Sequence, residues 1–94
     1  MLSVSTAISQ FIEKFLLYRG RRSTTCRVYA PTGGMRTYSV FLEEDRLREQ
    51  FYLDPTRAEE ILTTGNEQYV LTEVRSALRN LDKQLLKRKS ARRT

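Results

Sequence analysis

The last twelve residues of the 94-residue chain carry basic side chains and no acidic ones. The basic residues are Lys83, Lys87, Arg88, Lys89, Arg92 and Arg93. Residues 83–94 therefore hold a charge of +6, which equals the formal net charge of the whole chain. Clustered cations attract polyanions, because the phosphates that they neutralise release condensed counterions. The segment predicts an external anionic partner, nucleic acid or another polyanion, and a solubilising terminus is the alternative.

A second basic run lies in residues 19–36, which contain five arginines and no acidic residue. Within it, Tyr29 lies between Arg27 and Arg36. Aromatic rings beside arginine on an exposed strand can stack on unpaired bases, so these three residues are candidate contacts to nucleic acid. The alternative is internal, because residues 43–67 contain eight acidic residues and three arginines, and the basic run could neutralise their −5 charge across the fold.

The remaining reactive side chains form no catalytic or metal-binding pattern. The chain has no histidine and one cysteine, Cys26. Imidazole-based catalytic triads, zinc sites built from several Cys or His, and a disulfide within one chain are therefore excluded. Paired carboxylates in residues 43–45 and 59–60 are typical of solvated helix starts. We predict a non-enzymatic protein without catalytic residues, metal or cofactor, and the lone thiol fits a reducing compartment such as the cytoplasm.

The first two predicted elements of the chain are a helix and a β-hairpin. Apolar residues at intervals of three and four predict a helix over residues 5–19, which Gly20 ends. This stretch is too short and too charged to span a membrane. β-Branched and aromatic residues on both sides of residues 31–34, Pro-Thr-Gly-Gly, predict an antiparallel hairpin over residues 24–42.

Alternation within the hairpin predicts which of its faces is buried. A pairing of Val28 with Tyr38 and of Cys26 with Val40 places the apolar side chains on one face, and burial should select that register. Cys26 would then be a small buried residue in a strand. The opposite face would carry polar, basic and aromatic side chains. They are Thr25, Arg27, Tyr29, Thr37, Ser39 and Phe41.

Two or three helices are predicted after the hairpin. Acidic residues at the start of residues 43–53, followed by Leu47 and Phe51 at helical spacing, predict a short helix there. Asp54 and Pro55 are typical of the start of a second helix. The last helix carries apolar residues in a seven-residue repeat. They are Leu71, Val74, Leu78, Leu81 and Leu85.

The repeat in the last helix makes one apolar seam of two heptads. It predicts packing against the N-terminal helix, against a second copy in a homodimer, or against a larger protein complex. Together these elements predict a single α+β domain over residues 1–86 and a basic C-terminal tail at 87–94. The predicted function is association with nucleic acid, and the alternative is an adaptor or accessory subunit that docks through the seam.

Overall fold

The first helix, α1, spans Val4–Tyr18 in the computed structural model. The structure describes residues 3–65 and 67–92 of the chain. Ser3 caps α1, because its hydroxyl accepts a hydrogen bond from the Thr6 amide at 3.2 Å and so satisfies one of the free donors of the first turn. Gly20 ends the helical path with a left-handed backbone, at φ +74°. The helix predicted from the apolar spacing is confirmed to within one residue at each end.

Three antiparallel strands and two further helices follow α1. They are β1 (Thr25–Tyr29), β2 (Tyr38–Glu44), β3 (Leu47–Leu53), α2 (Pro55–Thr63) and α3 (Gln68–Arg92). The strand order is β1-β2-β3, so β2 is the central strand. The predicted α+β class is confirmed. The basic residues at the C-terminal end continue α3 as far as Arg92.

The short helix predicted over residues 43–53 is wrong, because this segment forms the end of β2, a tight turn and β3. Leu47 and Phe51 are four residues apart, which places them on one face of a helix and equally on one face of a strand. In the strand, Phe51 and Leu53 are buried in the core, and the backbone of β3 pairs with that of β2. Burial and strand pairing therefore decide between the two structures.

The turn between β2 and β3 has a left-handed backbone without glycine. Asp45 and Arg46 have φ angles of 52° and 68°. Two positive φ angles in a two-residue hairpin belong to the turn type whose twist matches antiparallel strands, for which Asn-Gly and Asp-Gly are the usual sequences. Because Asp45 and Arg46 lack the glycine that usually marks this turn, the sequence does not predict it.

The register of β1 and β2 differs by two residues from the predicted one. Val28 pairs with Val40 and Cys26 pairs with Leu42, because residues 30–37 form a longer connection than the predicted turn. A shift by two leaves each side chain on the same face of the sheet. The prediction that Cys26, Val40 and Leu42 share the buried face is confirmed.

The core lies between one face of the sheet and the helices. Its fully buried side chains come from α1, α3 and the strands. They include Ile8, Ile12, Val40, Leu42, Leu53, Val74 and Leu81. The opposite face of the sheet has none of the described helices packed against it, and its aromatic side chains are partly exposed.

The apolar seam of α3 packs mainly into this core. Val74, Leu78 and Leu81 are buried, whereas Leu71 and Leu85 are half-buried. The three buried side chains stabilise the fold of the single chain. They are not exposed to a partner. The seam packs mainly against β3 and β2 of the same chain, and not along α1 as one of the predictions had it, because α1 packs mainly against β1 and α2.

Candidate nucleic-acid interface

The helix-free face of the sheet presents residues from all three strands in register. Strand pairing arranges them in three rows across β1, β2 and β3. The rows are Tyr29, Ser39 and Tyr52; Arg27, Phe41 and Gln50; and Thr25, Glu43 and Arg48. We call this surface of nine residues the open face. Neighbouring strands lie about 4.8 Å apart, so the side chains of one row are close enough to contact each other.

Three aromatic rings lie side by side on the open face. Tyr29 and Tyr52 are 52% and 50% exposed, on either side of the small, buried Ser39. The ring of Phe41 contacts that of Tyr29 edge to face, with 5.6 Å between the ring centres. The two tyrosines are two strand spacings apart, roughly 10 Å. The arrangement offers two solvent-facing rings on which planar bases could stack.

The Tyr52 hydroxyl accepts a hydrogen bond from a residue of the neighbouring row. The side-chain amide of Gln50 donates to the hydroxyl of Tyr52 at 2.8 Å. A ring that is already oriented loses less conformational freedom when a planar ligand stacks on it. Gln50 therefore helps to orient the Tyr52 ring.

Two arginines give the open face its positive charge. The guanidinium carbon of Arg48 lies 5.3 Å from the centre of the Phe41 ring, and its Nε lies 3.5 Å from Glu43 Oε1. Arg27 is exposed and forms no ion pair with any residue that the structure describes. Two guanidinium groups against one carboxylate leave the surface weakly cationic.

Sequence reasoning placed Arg27, Tyr29 and Phe41 on this face but missed the three residues of β3, Arg48, Gln50 and Tyr52. The available signal was the alternation of Leu47, Phe51 and Leu53 with polar or exposed residues. Glu49 interrupts that alternation because it points to the inner side of the sheet, where its carboxylate accepts a hydrogen bond from Gln84 of α3. A carboxylate at an inward position favours the helical interpretation of such a segment.

The predicted contact Arg36 lies outside the strands. It is exposed in the connection between β1 and β2. That connection leaves the sheet at the row of Tyr29 and Tyr52, so Arg36 lies at the tyrosine end of the open face. Arg27 and Tyr29 therefore share the open face, whereas Arg36 lies beyond the end of the strands.

The C-terminal cations differ in whether they are paired. Arg88 Nη1 lies 3.1 Å from Asp45 Oδ2 and also donates to the Asp45 carbonyl, so this charge is neutralised within the chain. Lys83, Lys87 and Lys89 are exposed and form no ion pair in the described ranges. Arg92 is the last residue of α3, and Arg93 lies outside the described residues.

Arg21, which belongs to the basic run of residues 19–36, is also neutralised by carboxylates of the same chain. Its Nη1 lies 2.9 Å from Asp82 Oδ1, and its Nη2 lies 3.3 Å from Glu44 Oε1. Its Nε donates to the Thr24 hydroxyl at 3.2 Å, and that hydroxyl in turn donates to Glu44. Arg21 therefore joins the segment after α1 to the end of β2 and to α3.

Cys26 is buried in β1, which confirms its predicted place in a strand. Burial, with a smaller contribution from the charge of Glu13, raises the pKa of the thiol to about 12. The thiol is therefore protonated at neutral pH and is not a nucleophile. Within residues 3–65 and 67–92, no group of three or more Cys, Asp or Glu side chains is suited to hold a metal ion.

None of the described helices combines the length and the apolar character that a membrane span requires. Comparison of the chain with protein-family models, with curated proteins and with solved structures found no match.

Proposed function

We propose that the chain binds single-stranded nucleic acid on the open face. The observation that carries this proposal is the placement of Tyr29, Phe41 and Tyr52 beside Arg27 and Arg48 on a sheet face against which none of the described helices packs. Bases in a duplex are stacked on one another, whereas bases in a single strand can be splayed onto aromatic side chains. Exposed rings on a sheet face therefore favour single strands over duplexes.

Unpaired cations outside the open face supply attraction to phosphates. Arg36 lies at the tyrosine end of that face. The exposed Lys83, Lys87 and Lys89 lie on the C-terminal part of α3, which reaches the opposite end of the sheet through the contact of Arg88 with the β2–β3 turn. Their contribution is electrostatic and independent of base sequence, so added salt should weaken it.

Titration of labelled oligonucleotides of about 12 nucleotides, followed by fluorescence anisotropy, tests this function. The full chain should bind single-stranded RNA or DNA at least about tenfold more tightly than a duplex of the same length, because stacking requires free bases. Affinity should fall steeply between about 50 and 200 mM salt. Replacing Lys83, Lys87 and Lys89 together by Gln should make the logarithmic salt slope less negative by about 2, since each phosphate contact to a single strand contributes about 0.7.

A matched control is Lys14→Gln, because Lys14 is an exposed cation on α1, away from the open face. Its salt slope should equal that of the wild type. Equal affinity for single strands and duplexes would contradict the proposal for the open face. An unchanged slope in the triple lysine variant would contradict the proposed role of α3.

The alternative function is an adaptor or accessory subunit of a protein assembly, and one observation favours it. Leu71, a member of the predicted seam, lines a groove of about 570 Å³ together with Phe11 and Phe15 of α1 and Ile61 of α2. Most of the seam is buried within the chain, however, whereas the open face combines exposed rings with cations. The nucleic-acid function is therefore the better supported of the two. The lone thiol fits a reducing compartment, so the cytoplasm is the proposed location of the protein.

A further inference from the structure

A second basic surface lies on the helical side of the molecule. It is a groove of about 410 Å³ between the C-terminal end of α1 and the middle of α3. Its charged lining consists of four arginines and one aspartate. They are Arg19, Arg21, Arg75, Arg79 and Asp82. The groove shares no residue with the open face.

Only one of the four arginines is paired. Arg21 contacts Asp82 and Glu44, as described above, so the carboxylate of the groove is already held by a cation. Arg19, Arg75 and Arg79 form no ion pair with the part of the chain that the structure describes. The four arginines together with the carboxylates of Asp82 and Glu44 carry a net charge of +2.

Two of the unpaired guanidinium groups contact one aromatic ring. Those of Arg19 and Arg75 lie 5.7 and 5.9 Å from the centre of the same ring, that of Phe15. Arg79 lies one helical turn after Arg75, so both project from one side of α3. Like charges at this spacing repel each other. The C-terminal end of α1 stabilises the positive charge of Arg19. Arg75 and Arg79 lie in the middle of α3, where no helix end provides such stabilisation.

We propose that this groove binds a phosphate group, at a site separate from and independent of the open face. Guanidinium groups present planar, paired N–H donors that match the oxygens of phosphate. A bound phosphate would neutralise the repulsion among Arg19, Arg75 and Arg79. The carboxylate of Asp82 is bound by Arg21 Nη1 at 2.9 Å and forms no ion pair with these three arginines in the described structure. The groove has room for a phosphate that carries a further group, as in a diphosphate or a phosphate monoester.

Isothermal titration calorimetry of the full chain with inorganic phosphate and with pyrophosphate tests this site. The Arg79→Gln variant should bind both at least about tenfold more weakly, because it loses a charge-assisted hydrogen bond. Arg79 is exposed, and its side chain forms no hydrogen bond, ion pair or ring contact with the residues that the structure describes. Arg75→Lys keeps the charge but not the paired donors, and it should also bind more weakly.

The matched control is Lys14→Gln, which removes one exposed cation of α1 that lines neither this groove nor the open face, and which should bind phosphate as the wild type does. Equal affinities of the Arg79→Gln and Lys14→Gln variants would overturn the proposal, because attraction would then follow net charge alone. Circular dichroism establishes that each variant is folded.

The source of the phosphate is distinguished with a 5′-phosphorylated dinucleotide and its unphosphorylated counterpart. Tighter binding of the phosphorylated form than of inorganic phosphate, lost in Arg79→Gln, would support the site and identify the ligand as a nucleic-acid end. Equal binding of the two phosphates, again lost in the variant, would support a site for free phosphate. Replacement of Tyr29 and Tyr52 should leave phosphate binding unchanged, so failure of the open-face proposal is distinguishable from failure of this one.

Discussion

Replacing Tyr29 and Tyr52 together by alanine is expected to weaken binding of a single-stranded oligonucleotide by roughly 100-fold, as measured by fluorescence anisotropy. Stacking of a base on an aromatic side chain is worth about 1–3 kcal/mol, and the double variant removes two such surfaces. Both rings are half exposed, so their loss removes little buried area from the core. Replacement by phenylalanine retains the rings and should keep most of the affinity.

The matched control for the tyrosine pair is Tyr18→Ala, because Tyr18 is 87% exposed at the end of α1, on the helical side of the molecule. This variant should bind as the wild type does. Urea unfolding of each variant separates loss of the binding surface from loss of the fold. A double variant that unfolds at the wild-type urea concentration and binds as tightly as the wild type would show that the open face is not the stacking surface.

The second large effect is expected on stability, at Arg21. Replacing Arg21 by methionine should lower the free energy of unfolding by about 2–3 kcal/mol, measured by urea denaturation. The substitution leaves the carboxylate of Glu44 without its cation, and the side chains of Arg21 and Glu44 are only 20% and 22% exposed. Breaking a fully buried pair costs about 3–5 kcal/mol, and partial exposure reduces that figure. The half-exposed Asp82 contributes little.

The neighbouring Arg22 provides the control for this prediction, because it is exposed and carries the same charge. Arg22→Met should change the free energy of unfolding by no more than about 0.5 kcal/mol. Adding Glu44→Gln to Arg21→Met should restore part of the stability, since the unpaired carboxylate is then removed. If the losses in Arg21→Met and Arg22→Met were equal, Arg21 would not connect β2 and α3 as described.

The parts of the fold that the sequence predicts are those in which burial repeats with a fixed period. In α1, the three-and-four spacing of apolar residues ends at a glycine that takes a left-handed backbone, so both the helix and its end are predictable. In the hairpin, alternation predicts the buried face although the register is wrong by two residues. Registers that differ by two bury the same side chains, so the pattern cannot distinguish them.

The third strand was missed because its local signals favour a helix. Asp45 and Arg46 occupy a left-handed turn without the glycine that usually marks it. Glu49 places a carboxylate on the inner side of the sheet, where Gln84 satisfies it. Since Tyr52 and its neighbours on β3 complete the open face, this single error also removed three of its nine residues from the prediction.

Pairing between distant charges is a further property that spacing does not reveal. Arg88 contacts Asp45, a residue 43 positions earlier in the chain, so one charge of the basic C-terminal segment is neutralised internally. Arg21 meets Glu44 and Asp82 in the same way. The sequence predicts where cations are concentrated, and the fold determines which of them are free to meet an external anion.

The most direct test of the central claim is to map the binding surface by nuclear magnetic resonance. The ¹⁵N-labelled chain would be titrated with a single-stranded oligonucleotide of about eight nucleotides, and its amide shifts followed. The largest changes should fall on the open face, at Arg27, Tyr29, Arg48 and Tyr52, with smaller changes along the C-terminal part of α3. Changes confined to the helical side of the molecule, with the amides of β1 and β3 unaffected, would contradict the claim that bases stack on the open face.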